Sequence, residues 1–245
     1  MLAIIGGSGL TQLANFDVIR REVVRTPYGE PSGALMFGTL GDCPVVFLAR
    51  HGYGHTIPPH LVNYRANMWA LKQAKVEQVV SVASVGGIRD ALGPGALVVP
   101  DQIIDYTSGR KTTYFEGGED PVRHIDFTQP YDARLRARLL AAAVGAGVDV
   151  VDGGVYATTQ GPRLETAAEV NRLERDGADV VGMTAMPEAP LARELDMAYA
   201  AINVVANFAA GRGNSAEAIC FDSIEAVLHE AMERVRAILT MLCGQ

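Results

Sequence analysis

The 245 residues are 49% hydrophobic with a formal net charge of −7: enough apolar content for one sizeable core, and the wrong sign for a nucleic-acid or anionic-membrane surface, which needs broad basic patches. Three cysteines, Cys43, Cys220 and Cys243, are widely spaced and without a CxxC pair, which argues against a disulfide framework or zinc ribbon and suits reduced thiols in the cytoplasm. With no low-complexity linker, one domain over residues 1–245 is expected, and the opening MLAIIGGSGL, with no basic segment and an apolar run too short for a signal sequence or a membrane span, suits a soluble intracellular protein.

Along the chain, Val- and Ile-rich runs recur as LAIIG, PVVFLA, EQVVSVAS, ALVVP, DVVDGGVYATT, ADVVGM and AINVVAN. Without clean polar alternation, they predict strands covered on both faces. Between them, three- and four-residue apolar spacing predicts helices over 63–75, 131–147, 166–177, 187–196 and 223–243. The alternation spells an α/β fold with a mixed, mainly parallel sheet flanked by helices. Thr166 with Glu169, and Asp222 with Glu225, have capping-box spacing, Gly147 and Gly177 suit the left-handed position after a helix, and Pro187 suits a first turn. Residues 105–130 form a long polar loop rich in Gly, Tyr and His, the kind that is functional or buries itself against a partner subunit.

Four strand ends carry polar groups. Gly6, Gly7, Ser8 and Gly9 follow the first strand and offer backbone N–H groups and a hydroxyl to an oxyanion. The dinucleotide fingerprint fails there, with Gln12 where its third glycine belongs, and no Walker lysine follows. Arg50 and His51 end a second strand, where open α/β sheets collect ligands, and arginine presents a planar fork matched to phosphate. A metal is not expected: His51, His55 and His60 are close in sequence, but Gly52, Gly54, Pro58 and Pro59 forbid the helix that would align two of them. Ser84, Gly86 and Gly87 mark a third strand end, Met183 and Thr184 a fourth.

The segments IIGGSGL, LARHGYGHTIPPHLVNYRANMWALK, GGIRDALGPGALVVPDQIIDYT, TTQGPRLETAAEV and ADVVGMTAMPEAPLARE, with the final strand, resemble the trimeric purine nucleoside phosphorylase family, within it most nearly the methylthioadenosine phosphorylase branch. The resemblance runs from residue 3 to about residue 240. It implies an enzyme that uses inorganic phosphate, a co-substrate rather than a cofactor, to cleave a purine from C1′ of its ribose, with nucleoside and phosphate as its partners and a homotrimeric assembly. By the same resemblance Ser8, Arg50, His51, Ala83, Ser84 and Thr184 would hold the phosphate, and Met183 would lie against the ribose. Ala83 departs from the threonine of methylthioadenosine phosphorylases and would cost one hydroxyl contact.

The base site departs further. Where that branch has two aspartates, this chain reads Asn207, Phe208, Ala209, residues implied to bind substrate. Glu165 and Asn207 match the glutamate and asparagine with which the inosine- and guanosine-cleaving branch reads its base. A carboxylate at Glu165 accepts from N1–H of a 6-oxopurine but faces a lone pair on adenine N1. A glutamate just ahead of a helix also suits the helix dipole. The segment AICFDSIEAVL lacks the histidine that serves the 5′-hydroxyl in the inosine-cleaving branch, and Ile219, Phe221 and Ile224 suit an apolar 5′ group. His124, in the long loop, resembles a residue that members insert into the neighbouring subunit's site. The combination points to S-methyl-5′-thioinosine as substrate. The alternatives are a general 6-oxopurine nucleoside phosphorylase, a methylthioadenosine phosphorylase and, outside catalysis, a nucleotide-binding protein on the same fold.

Overall fold

In chain order the strands are β1 (Leu2–Gly6), β2 (Phe16–Glu22), β3 (Leu35–Leu40), β4 (Cys43–Ala49), β5 (Gln78–Gly87), β6 (Leu97–Val99), β7 (Gln102–Asp105), β8 (Val151–Asp152), β9 (Val155–Thr158), β10 (Val180–Gly182) and β11 (Ala198–Phe208). The α-helices are α1 (Tyr64–Gln73), α2 (Ala133–Gly145), α3 (Ala167–Arg175), α4 (Ala185–Glu194) and α5 (Phe221–Cys243). The structure is a computed structural model that describes residues 1–10, 15–118 and 121–244, so Gln12 and Gln245 lie outside the described residues.

These strands form one mixed sheet in the order β2-β3-β4-β1-β5-β10-β9-β7, with β11 on β5 and β6, and β8 on β6. The ladders β1–β4, β1–β5, β5–β11, β6–β8, β7–β9 and β9–β10 are parallel; β2–β3, β3–β4, β5–β10 and β6–β11 are antiparallel. The mainly parallel expectation therefore holds. Alternate residues of the central strands enter opposite cores: Ile4, Val80, Val82 and Ile202 pack with α2 and α5, while Ala3, Ile5, Val79 and Ala201 pack with α1 and α4. Burial on both faces is why these strands read as continuous apolar runs.

The sequence pattern missed β2, β3 and β7. β2 is an edge strand whose residues from Asp17 onward are all exposed, so no core face imprints a pattern on it. The run at 149–159 is two strands: Gly153 and Gly154, both at positive φ, break it, sending β8 to β6 and β9 to β7 and β10. The capping box of Thr166 and Glu169 is formed, and Gly147 and Gly177 have φ of 66° and 93°. The second predicted box is not formed. α5 begins at Phe221 with Cys220 as its N-cap, so Asp222 lies inside the first turn, where its charge still complements the helix dipole. α4 spans Ala185–Glu194, but Met186 and Pro187 depart from helical angles, so its regular turns begin just past Pro187, where the sequence places the helix start.

Long β5 and β11 run side by side from Ala198↔Gln78 to Phe208↔Gly87, with a register shift between Val205 and Asn207. This bulge bends β11 where it leaves the core and brings Asn207 to the carboxyl end of the sheet. There the ends of β1, β4, β5, β10 and β11 surround one cavity.

Candidate active site

The cavity has a volume of about 710 Å³ and gathers residues from both ends of the chain, from Gly7 and Ser8 to Ile224 and Leu228. Ser8, Arg50, His51, Ala83, Ser84, Glu165, Met183, Thr184, Asn207, Ala209, Ile219, Phe221 and Ile224 all line it, as the sequence predicts. Two predicted residues do not. Phe208 alternates away from the cavity and packs its ring against Gly93 and Gly213, so its side chain is structural. His124 is exposed on the long loop and does not reach its own chain's cavity. Cys220 also lies off the wall. A smaller cleft of about 430 Å³, bordered by residues 94–97, 149–151, Val227, Glu230 and Arg234, contains none of the predicted residues.

Arg50 differs from its expected role as a free fork. Its side chain is fully buried (0% exposed), and its Nε and Nη2 both donate to the carboxylate of Glu188 on α4. Nη2 also donates to Ser81 Oγ at 2.7 Å and Nη1 to the Val82 carbonyl at 3.1 Å. The paired edge that would suit a phosphate is thus occupied by Glu188. Of the five guanidinium N–H groups, one on Nη1 is left. Nη1 is also the atom nearest Gly7: a Cβ there would sit 2.8 Å from it and 2.8 Å from the Val82 carbonyl, so the loop after β1 approaches Arg50 only because residue 7 is glycine. Burial disfavours the guanidinium charge, but Glu188 more than offsets this and holds Arg50 above its usual range. Sequence reasoning missed Glu188, whose partner is 138 residues away.

His51 is 7% exposed, and its Nδ1 lies 2.8 Å from the Ile57 carbonyl, to which only a protonated nitrogen can donate. Burial, then the neighbouring Arg50 charge, lowers its pKa to about 4, so at neutral pH the ring is uncharged and Nε2 is an acceptor. His55 approaches Ser8 Oγ through Nε2 at 3.4 Å and lies 4.8 Å, centroid to centroid, from the His51 ring. Among the described residues no group of three or more His, Cys, Asp or Glu could hold a metal ion. Thr184 immediately precedes α4, and its backbone N–H donates to Tyr156 Oη at 3.3 Å.

On the opposite wall, Glu165 Oε1 accepts from Thr159 Oγ1 at 2.6 Å, leaving Oε2 without a bond among the described residues. Asn207 Nδ2 donates one hydrogen to the Phe208 carbonyl at 2.6 Å, leaving its second N–H and its carbonyl for a ligand. The end of the cavity over α5 is apolar: Ile219, Phe221, Ile224 and Leu228. Arg110 of the long loop, also missed from sequence, ties this region together. It donates to the carbonyls of Met183 at 2.8 Å, Met186 at 2.5 Å and Gln160 at 2.9 Å. The first part of the loop is therefore held by its own chain; Thr113 and Tyr114 likewise bond Glu194.

A cavity ringed by strand ends that gathers hydroxyls, a guanidinium, a carboxylate and an amide is the kind of site a phosphorylase needs, and the sequence profile of the Phosphorylase superfamily matches residues 1–243: the chain belongs to that family. A protein of Pseudomonas syringae pv. tomato named as a probable S-methyl-5′-thioinosine phosphorylase is 53% identical over 97% of this chain and 96% of its own. A 6-oxopurine nucleoside phosphorylase of Pyrococcus furiosus is 47% identical over 86% of this chain and 80% of its own. Among solved structures, a methylthioadenosine phosphorylase of Schistosoma mansoni in complex with adenine superposes with a TM-score of 0.93 at 34% identity, covering 99% of this chain and 90% of that one.

Proposed function

We propose that the protein cleaves S-methyl-5′-thioinosine with inorganic phosphate, giving hypoxanthine and 5-methylthioribose 1-phosphate. The observation that carries this reading is the layout of one cavity: donors at Ser8, Arg50 and Thr184 on one wall, Glu165 and Asn207 on another, and the apolar side chains of α5 at the far end. Phosphate held by the first set attacks C1′ as the C1′–N9 bond breaks and the sugar gains oxocarbenium character. Electron density moving onto the purine meets the free N–H of Asn207 along the N7 and O6 edge, while Glu165 accepts from N1–H. Arg50 is charge-paired and His51 neutral, so phosphate is bound mainly by oriented hydroxyls and backbone N–H groups, with the one free N–H of Arg50. Positioning and electrostatics then supply the rate acceleration, with no covalent enzyme intermediate.

A general 6-oxopurine nucleoside phosphorylase is the second reading. It is favoured by Phe221, which is 69% exposed, so the 5′ wall of one chain is open to solvent. The same exposure, with His124 on the outer loop, supports a homotrimer in which each loop closes the neighbour's cavity. The free thiols suit the cytoplasm, and among the described residues no helix is long and apolar enough to cross a membrane. Four nucleosides, adenine or hypoxanthine each with a 5′-hydroxyl or 5′-methylthio group, assayed with and without phosphate, test the reading. Fastest turnover of methylthioinosine with strict phosphate dependence is expected. Equal use of inosine moves the assignment to the second reading, and cleavage without phosphate overturns both.

A further inference from the structure

Glu188 is fully buried beneath the cavity, and its carboxylate accepts from four donors: Arg50 Nε, Arg50 Nη2 at 3.1 Å, Ser81 Oγ at 3.2 Å and Tyr199 Oη at 3.0 Å. Three of the four donors meet Oε2 and one meets Oε1, so both oxygens are engaged from below the cavity. Glu188 does not line the cavity. Ser81 closes the circuit by accepting from Arg50 while donating to Glu188, and Tyr199 is itself fixed by stacking on Tyr131 at 5.9 Å. The cluster joins β4, β5, α4 and β11, the elements that carry the anion-binding wall.

We propose that Glu188 is a positioning residue for phosphate: with Ser81 and Tyr199 it locks the guanidinium of Arg50 so that a single N–H on Nη1 is aimed past Gly7 into the cavity. This rests on the reading of the cavity as a phosphate site. Without Glu188, Arg50 has no partner for Nε and one fewer for Nη2, and its planar group is free to turn. A planar cation that turns about its own axis loses its aimed N–H first, so phosphate recognition suffers while the base wall does not: Glu165 lies ahead of α3, and Asn207 lies past the bulge at the far end of β11 from Tyr199.

The test uses the full chain with Glu188→Gln, which sets an amide N–H against donors that need acceptors, and Tyr199→Phe, which keeps the ring and removes one donor to Glu188. The KM for phosphate and the KM for methylthioinosine are measured separately. Glu188→Gln is expected to raise the phosphate KM at least tenfold with the nucleoside KM within twofold; Tyr199→Phe moves phosphate alone in the same direction, by about two- to fivefold. Glu188→Asp, which keeps the charge, recovers part of the loss. Parallel changes in both KM values, or an unchanged phosphate KM, overturn the proposal. Where Glu188→Gln does not fold, Tyr199→Phe and Ser81→Ala decide it by the same criterion. Ser8→Ala and Thr184→Val, outside the Glu188 cluster, report on the underlying reading. If these raise the phosphate KM and the Glu188 and Tyr199 variants do not, the positioning role alone is wrong; if wild-type enzyme cleaves without phosphate, the site reading falls and this inference with it.

Discussion

Replacing Glu165 by glutamine exchanges one oxygen for an amide nitrogen and should invert what the base wall asks of a purine. Thr159 Oγ1 donates to Glu165 Oε1 at 2.6 Å, so the glutamine carbonyl takes that position and its NH2 turns toward the base. On the proposed reading, the free oxygen of the wild type accepts N1–H of a 6-oxopurine and opposes the lone pair of adenine N1. In the variant the NH2 opposes N1–H and complements adenine. An unmatched polar group in a water-poor pocket costs about 1–3 kcal/mol, and the swap creates one mismatch while removing another, so the preference moves by about 2 kcal/mol or more, roughly thirtyfold. The assay is kcat/KM for methylthioinosine and methylthioadenosine, wild type against Glu165→Gln. Asn207→Asp with Ala209→Asp, which restores the acids of the adenine-cleaving branch, should narrow the wild-type preference from the other side of the base. An unchanged ratio in Glu165→Gln would show that Glu165 does not meet the purine and serves only Thr159 and the helix dipole.

Three further outcomes are expected. Arg50→Ala should not leave the fold unperturbed: it strands the buried Glu188 carboxylate, a defect of about 3–5 kcal/mol, and denaturant unfolding of this variant beside wild type and Arg50→Lys measures it. The apolar wall of Ile219, Phe221 and Ile224 should favour methylthioinosine over inosine by about 1–3 kcal/mol in kcat/KM, and both Phe221→Ala and His124→Ala should narrow the gap without changing the phosphate KM. Stability should fall as pH drops from about 6.5 to about 4. In that window the unfolded chain protonates a histidine of ordinary pKa while native His51, held at about 4, does not, so the unfolded state binds more protons and gains up to about 3 kcal/mol. The difference in unfolding free energy between wild type and His51→Gln, followed over that range, isolates this residue; a difference that does not vary with pH would show that His51 is not held neutral.

Much of this protein is written in local pattern. Continuous Val and Ile runs mark strands buried between two helical layers, three- and four-residue spacing marks the helices, and Thr166 with Glu169 closes a cap within three positions. Because ligands collect at the carboxyl ends of parallel strands, the polar residues just past those runs could be nominated from position, and the family resemblance added the base and 5′ residues; of the fifteen side chains so named, thirteen line the cavity. What stayed hidden depends on partners far apart in the chain. Nothing near Arg50 announces that Glu188, 138 residues on, will occupy its fork, because a buried ion pair leaves no periodic trace and exists only once β4 and α4 are stacked on the sheet. The same holds for Thr159 and Asn207. The first became a determinant of Glu165 when the turn after β9 folded back, and the second reached the cavity, with Phe208 turned away, because one extra residue in β11 bulges against β5. Side-chain identity is local information, but a proton's direction between two side chains is set by the tertiary packing that brings them within 3 Å, and here that packing decides how each nominated residue can act.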